Sequence, residues 1–268
     1  MKDIINTWEK VTLARDFKRP RAKDYIDNVF DNFMELKGDR VSGDDSAIIG
    51  GIALYKGRPV TVMGVQKGSN VSENVERNFG MPKPSGYRKA LRLMKQAEKF
   101  KRPIIIFVDT PGAFCGIESE EGGIGQAIAE NLMEMIKLKT PIISIFIGEG
   151  GSGGALALGV ADEVWMLENS IYSILSPEGM ASILYKDPSK ARNIADQMKI
   201  TSSDLYKFNI IDRIISEPDG GVQRDFSTVA KTLSINLEEA LRKLSMDTED
   251  FLLEKRYSKF RRMGKYKL

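Results

Sequence analysis

Two segments of the chain share the same order of an apolar run, a glycine-rich loop and an amphipathic segment. The first is PIIIFVD, followed by TPGAFCGIESEEGG and the helical pattern IGQAIAENLMEMIKL. The second, about 40 residues later, is PIISIFIG, followed by GEGGSGG and by ALALGVA, which begins another helical pattern. Short apolar runs are typical of strands covered on both faces, and crossover helices connect parallel strands. The repeat therefore predicts two parallel strands with both loops at one end of the sheet and a site between them.

The rest of the pattern predicts a hairpin, helices and late strands. Two β-rich runs flank Lys56-Gly57-Arg58 in AIIGGIALYKGRPVTVMGVQKG, which predicts a hairpin. After the loop NVSENVERNFGMPKPSG, the segment YRKALRLMKQAEKF has a helical stripe of Tyr87, Leu91, Met94 and Ala97. Strands are indicated by EVWMLE, IYSIL and NIIDRIIS, and helices by SPEGMASILYKD, with Pro177 in the first turn, and by residues 187–207.

Both ends of the chain carry helical patterns. The N-terminal spacing rests on Tyr25, Val29, Phe33 and Leu36, and the segment after EPDGG is amphipathic. A chain of 268 residues is long enough for one large α/β domain. We therefore predict an α/β fold with a helical N-terminal arm at 1–40, a core at 41–221 and a C-terminal helical extension at 222–268.

The composition of the chain argues against nucleic-acid-binding, membrane-spanning and secreted proteins. Apolar content of 42% and charged content of 29% are ordinary for a globular protein. The net charge of +3 argues against nucleic acid as the main partner. No apolar run approaches the ~20 residues that span a bilayer, and the N-terminus lacks the apolar region of a signal peptide, so we expect a cytoplasmic protein.

The chain has one cysteine, Cys115, and no histidine. It can form neither an internal disulfide nor a cysteine zinc site of its own, so we expect no metal in this chain. The usual general base near neutral pH is also missing. Catalysis must then rely on carboxylates, lysine, tyrosine, backbone dipoles or the groups of the substrate.

Several chemistries compete for IGEGGSGGALALG, which has five glycines between Gly148 and Gly154. A P-loop requires Lys-Ser/Thr after the glycines, where this chain has Ala155-Leu156, and the dinucleotide fingerprint is imperfect. A nucleophile at Ser152 has no histidine to serve as its base, although a Ser-Lys pair stays open. Tight packing of strand and helix is the plainest interpretation. The second loop, at Gly112 and Ala113, favours backbone N–H groups that stabilise an oxyanion.

The chain resembles the alpha subunit of the carboxyltransferase component of bacterial acetyl-CoA carboxylase. The resemblance rests on DYI, GDR, GVQKG, RNFGMPKPSGYRKALRLMKQAEKF, DTPGA, IGEGGSGGALA, MLENSIYSILSPEG, MKIT and EPDGG. It implies a crotonase/Clp-like fold of repeated ββα units. It also implies an α2β2 assembly in which a separate beta subunit with a zinc ribbon supplies the acetyl-CoA side of the site.

The resemblance implies transfer of the carboxyl group of carboxybiotin, held on a biotin carrier protein, to acetyl-CoA. The product is malonyl-CoA for fatty-acid synthesis, and biotin carboxylase belongs to the wider complex. It implies that the stabilising amides are those of Gly150, Gly151, Gly153 and Gly154, with Gly112 and Ala113 on the facing loop. It also explains the absence of histidine, since the ureido nitrogen of biotin can accept the proton of acetyl-CoA.

Other side chains have weaker claims to the site. Lys67, Arg77, Arg88 and Phe114 are predicted to bind substrate, with solvated surface charge as the alternative for the three cations. The chain departs from the family at Phe114-Cys115, where tyrosine and proline are usual, in the segment 120–123, and at Val222-Gln223. Two other functions stay open: a crotonase-like or Clp-like hydrolase that uses Ser152, and a scaffold that has lost activity through the altered first loop.

Overall fold

The computed structural model describes residues 5–264, and their strands form one sheet. Its eight strands are β1 Asp31–Glu35, β2 Ile48–Tyr55, β3 Arg58–Val65, β4 Ile104–Thr110, β5 Ile142–Gly151, β6 Glu163–Leu167, β7 Ile171–Ser173 and β8 Arg213–Ile215. The spatial order is β1-β2-β3-β4-β5-β6-β8, and β7 pairs with the end of β5. Strands β1 to β3 are antiparallel neighbours, while β3, β4, β5, β6 and β8 run parallel.

Helices lie between and after these strands. They are α1 Thr7–Ala14, α2 Ala22–Val29, α3 Val71–Glu76, α4 Pro84–Lys99, α5 Ile117–Glu121, α6 Ile124–Met135, α7 Ser152–Leu156, α8 Pro177–Tyr185, α9 Ala191–Met198, α10 Ser202–Lys207, α11 Phe226–Leu244 and α12 Glu249–Arg262. Short 3-10 turns occupy Asn78–Gly80, Pro188–Lys190 and Val222–Arg224. Within residues 5–264, no helix is both long and apolar enough to cross a membrane.

The predicted repeat of parallel strands is confirmed. Strands β4 and β5 pair in register from Ile104 opposite Ile142, so both glycine-rich loops leave the same edge of the sheet. Every residue of β4 is buried, because alternate side chains enter the cores on the two faces of the sheet. Phe107 packs on one face and Val108 on the other. This explains the uninterrupted apolar run of the sequence.

The hairpin and the long helix are also confirmed. Lys56 and Gly57 join β2 to β3 with φ of +47° and +77°, the backbone of a two-residue type I′ turn. Helix α4 ends at Lys99, and its predicted stripe is buried: Tyr87, Leu91, Met94 and Ala97. The α/β, crotonase-like fold class is confirmed by the sheet and by the structural neighbours described below.

Three local predictions are wrong. The helical spacing of the N-terminal arm ends at Val29, because residues 31–35 form β1 and obtain their hydrogen bonds from β2. The predicted loop at 70–86 contains α3, whose first turn is capped by the side chain of Asn70. The helix predicted at ALALGVA begins earlier, at Ser152, and ends at Leu156. The division of the chain at 1–40, 41–221 and 222–268 stays a prediction.

The C-terminal helices are joined to the sheet by a buried arginine. Arg256 of α12 donates to both carboxylate oxygens of Asp162, at 2.8 and 2.7 Å. It also donates to the carbonyl groups of Met135, Leu138 and Thr140. The C-terminal segment therefore packs as part of the described fold.

Candidate functional site

The two loops after β4 and β5 lie in direct backbone contact. A Cβ atom at Gly151 would lie 2.0 Å from the carbonyl oxygen of Pro111, and one at Gly154 would lie 2.4 Å from the backbone nitrogen of Ala113. Real Cβ atoms do not approach other heavy atoms so closely. Gly151 and Gly154 are therefore required by the contact between the loops.

Two more glycines of the second loop are enclosed by side chains. At Gly148, a Cβ atom would lie 2.4 Å from a carboxylate oxygen of Asp109. At Gly150, it would lie 2.5 Å from the ring of Phe146. Gly150 is also a sheet residue, paired with Thr110 of β4 and Tyr172 of β7. We name Gly148, Gly150, Gly151 and Gly154 the packed glycines.

Gly153 and Gly112 have space around them. At Gly153, a Cβ atom would meet only Ile128, at an ordinary 3.7 Å. At Gly112, it would meet nothing within 4 Å, although the φ of +152° itself favours glycine. We name these two the open glycines. Neither is required by a close neighbour.

Backbone N–H donors lie on both loops at this contact. Ser152, Gly153 and Gly154 are the first residues of α7, and the first N–H groups of a helix have no partner within it. Gly151, at the N-cap, has no side chain that could accept from them. On the facing loop, the N–H of Ala113 makes no hydrogen bond within residues 5–264, whereas that of Gly112 donates to the Thr110 hydroxyl.

Ser152 lacks the surroundings of an activated nucleophile. Its side chain is exposed, and within residues 5–264 its hydroxyl makes no hydrogen bond. Its φ of +52° places a non-glycine residue in the left-handed region at a sharp turn from strand to helix. A serine nucleophile requires a base within hydrogen-bond distance, and none is present at Ser152 in the described chain.

A cavity of about 650 Å³ opens beside the second loop, with Ser152 and Gly153 in its wall. Most of the remaining wall is apolar: Leu156, Ile174, Met180, Met198, Ile200 and Phe208. Tyr172 also lines it and packs against Phe146 with ring centroids 4.3 Å apart. Burial raises the pKa of Tyr172 to about 12, so its phenol is neutral near pH 7. The cavity suits an uncharged, ring-sized group next to backbone donors.

Charged side chains lie at the base of both loops. The ammonium of Lys67 is 2.7 Å from Asp109 Oδ1 and 3.1 Å from Glu149 Oε2. Asp109 also accepts a hydrogen bond from the backbone N–H of Glu149. Burial lowers the pKa of Lys67, but the two carboxylates outweigh this and leave it above its usual value. Lys67 is therefore charged at neutral pH, and its ammonium connects the two loops.

Of the four side chains predicted to bind substrate, only Lys67 lies at the base of both loops. Arg88 donates to Asp39, Ser42 and the carbonyl of Gly122.

Arg77 donates to the carbonyl of Ser46, and its buried Nε has no partner within residues 5–264. Phe114 lies under the ammonium of Lys83, 5.2 Å from the ring centroid. The substrate-binding roles of these residues stay predictions.

Sequence reasoning assigned no role to Asp109, Glu149 or Arg15. Asp109 and Glu149 occupy matching places, each near the end of an apolar strand and just before a glycine-rich loop. That repetition was a usable signal. No sequence pattern indicated a role for Arg15, because its partner Glu149 is 134 positions away in the sequence.

Residues 2–264 match the protein family described as acetyl co-enzyme A carboxylase carboxyltransferase-like. The chain belongs to this family. It is 60% identical over 262 residues to the acetyl-coenzyme A carboxylase carboxyl transferase subunit alpha of Clostridium acetobutylicum, covering 98% of this chain and 96% of that protein. A Clostridium tetani protein named as subunits beta/alpha is 56% identical over 267 residues, which are 100% of this chain and 46% of that protein.

Solved structures of a transcarboxylase and of a malonate decarboxylase share the fold of this family member. The transcarboxylase 12S structure with methylmalonyl-coenzyme A matches with a TM-score of 0.67 at 19% identity, over 88% of this chain and 44% of that one. A malonate decarboxylase hetero-dimer from Pseudomonas matches with a TM-score of 0.65 at 20% identity, over 82% and 90% of the two chains. Within residues 5–264, no cluster of three or more acidic or cysteine side chains is placed to hold a metal ion.

Proposed function

We propose that this chain is the alpha subunit of an acetyl-CoA carboxylase carboxyltransferase. It transfers the carboxyl group of carboxybiotin, held on a biotin carrier protein, to acetyl-CoA and so forms malonyl-CoA. The observation that carries the proposal is the contact between two glycine-rich loops that present N–H donors. The chain belongs to a carboxyltransferase-like family, and its own sequence contains no histidine.

Backbone donors are the catalytic groups in this proposal. Carboxybiotin supplies the carboxyl group, and this chain holds the oxygen that gains negative charge as that group leaves. The N–H groups of Gly153 and Gly154, with that of Ala113 opposite, are fixed before the reaction and need no proton transfer. Losing one such donor typically costs about 10²–10³ in rate.

The other predicted loop residues have supporting roles in the proposal. Gly151 allows the second loop to reach the first, Gly150 leaves room for the ring of Phe146, and Gly112 turns the first loop so that Ala113 faces α7. The apolar cavity beside Gly153 receives the ring system of biotin. Close approach of backbone to substrate requires the absence of a side chain at Gly153.

A beta subunit completes the site in an α2β2 assembly. Ile174 and Phe208 line the cavity and are 80% and 56% exposed. Ile183 and Leu184 lie on α8, whose Met180 also lines it, and are 60% and 57% exposed. Exposed apolar side chains grouped in this way are typical of a surface that binds a partner. The name of the Clostridium tetani relative joins beta and alpha subunits in one protein. In the proposal the beta subunit carries the zinc and binds acetyl-CoA, biotin carboxylase supplies carboxybiotin, and the complex is cytoplasmic.

Reconstitution tests this function. The chain is purified alone and together with a zinc-containing beta subunit, and malonyl-CoA-dependent carboxylation of free biotin is followed. We expect activity only from the mixture, and no stoichiometric zinc in the chain alone. Full activity without the beta subunit, or an inactive complex with intact zinc, contradicts the proposal.

A further inference from the structure

Arg15 extends from the end of α1 toward the base of the glycine-rich loop. Its Nε lies 2.7 Å from Glu149 Oε1, one residue before Gly150. Its two terminal nitrogens donate to Glu178 at 2.7 and 3.3 Å. Glu178 lies in the first turn of α8. One guanidinium of the N-terminal segment therefore joins the glycine loop to the helix that follows β7.

Glu149 connects this contact to the first loop. Its second carboxylate oxygen binds Lys67, and Lys67 also binds Asp109, which precedes the loop that contains Gly112 and Ala113. We name Arg15, Lys67, Asp109, Glu149 and Glu178 the loop-base cluster. Arg15 itself reaches the glycine-rich loop through Glu149, the residue before Gly150, so the effect considered for Arg15 is positional.

Burial makes each charge of the cluster depend on its partners. The side chain of Glu149 is 12% exposed and that of Lys67 is 19% exposed. Burial raises the pKa of Glu149, but Lys67 and Arg15 outweigh it and hold the pKa below its usual value. Without Arg15, Glu149 keeps only Lys67, whose ammonium is shared with Asp109. Because an uncompensated buried charge is unfavourable, we expect this carboxylate to move toward water.

Other contacts keep α1 in place without Arg15. Val11 and Ala14 of α1 are buried in a small cluster with Ile171 and Ile200. Beyond α1, Arg19 forms a buried ion pair with Glu217 at 2.6 Å. The Arg15 side chain itself is 31% exposed and belongs to no apolar core. Its removal is therefore compatible with a folded chain.

We propose that Arg15 is a positioning residue that fixes the glycine loop through Glu149 and so aligns the N–H donors of Gly153 and Gly154. The inference rests on the proposed function for its effect on rate. Oxyanion donors act only when held close to their productive geometry, and a misplacement of about 1 Å can cost about 10²-fold in rate.

The test compares three variants in the complex with the beta subunit. Arg15→Met removes the charge and keeps the length, Arg15→Lys restores a cation, and Lys18→Met is the matched control. Lys18 is an exposed cation of the same segment whose ammonium makes no hydrogen bond or ion pair within residues 5–264. Steady-state kinetics of biotin carboxylation from malonyl-CoA give kcat and KM, and melting temperatures report folding.

We expect Arg15→Met to lower kcat by about 10- to 100-fold while KM for malonyl-CoA changes by less than about twofold. Arg15→Lys recovers part of kcat, and Lys18→Met matches the wild type. Hydrogen exchange in the same complexes gives a readout independent of activity. The hydrogen-bonded amides of Glu149 and Ala157, at the two ends of the loop, exchange faster in Arg15→Met by about tenfold, while those of β3 do not change.

Each alternative result is decisive. A wild-type kcat in Arg15→Met overturns the inference, as does a lower kcat with unchanged exchange at Glu149 and Ala157. A raised KM at constant kcat assigns Arg15 to substrate binding instead. If the wild-type complex has no transferase activity, the proposed function fails, and unchanged loop exchange in Arg15→Met still rejects the positioning role.

Discussion

The glycine-rich loop after β5 contains both packed glycines and an open glycine, and these lack a side chain for different reasons. At Gly151 and Gly154, the neighbouring loop leaves no room for a Cβ atom. At Gly153, a Cβ atom has room, and the residue lines the cavity beside the backbone donors. The comparison teaches that glycine content alone does not identify a functional glycine. Packing explains Gly151 and Gly154, and the proposed approach of substrate explains Gly153.

The largest effect is expected at Gly151. Gly151→Ala forces the two loops apart, because its Cβ would lie 2.0 Å from the Pro111 carbonyl oxygen. We expect a loss of at least about 3 kcal/mol in the free energy of unfolding, measured with urea, and no transferase activity. Gly125→Ala in α6 is the control, since nothing lies within 4 Å of that position. Equal stability of the two variants would show that the loops are not in contact.

Gly153 provides the opposite case. Gly153→Val places its Cβ atom at an ordinary contact distance, 3.7 Å from Ile128, so we expect a native melting temperature and native beta-subunit binding. The side chain blocks approach to the donors, and we expect kcat to fall by about 10²–10³-fold. Gly153→Ala gives an intermediate loss. A folded Gly153→Val complex with the native kcat would show that substrate does not approach the backbone at Gly153.

The charges at the base of the packed glycines predict a dependence of stability on pH. The pKa of Glu149 is depressed in the folded chain, so its contribution is present above its unfolded pKa of about 4.3 and is lost as pH falls through the folded value. Glu149→Gln should therefore have a lower free energy of unfolding than the wild type at neutral pH. The difference between the two proteins should shrink as the pH is lowered. Glu121→Gln removes an exposed carboxylate as the control. A difference that is constant with pH contradicts the assignment.

The smallest effect is expected at Ser152. Since its hydroxyl makes no hydrogen bond in the described chain, Ser152→Ala should retain activity within about twofold, below the loss expected for an oxyanion donor. Ser152→Gly should raise the free energy of unfolding by about 1 kcal/mol, because it relieves a left-handed φ of +52°. A fluorophosphonate probe distinguishes the hydrolase alternative. A covalent adduct at Ser152, with an inactive alanine variant, would establish a nucleophile.

Local pattern was sufficient where neighbours in sequence are also neighbours in space. The stripe of α4 and the Lys56-Gly57 turn were predicted because helix and hairpin contacts join residues a few positions apart. It failed at β1, where residues 31–35 depend on pairing with β2, and at α7, where the glycine-rich loop itself begins the helix. Glycine is unfavourable in helices, so no local rule places a helix start at Ser152.

The family, the parallel repeat of β4 and β5 and the contact between two glycine-rich loops were predictable from the amino-acid sequence. Hydrophobic periodicity, turn residues and specific motifs were sufficient to indicate them. Only the tertiary structure separated packed from open glycines and brought Arg15 to Glu149. The reason is physical: the room around a Cα atom and the partner of a charge are set by residues distant in sequence, and their positions exist only once the sheet has assembled.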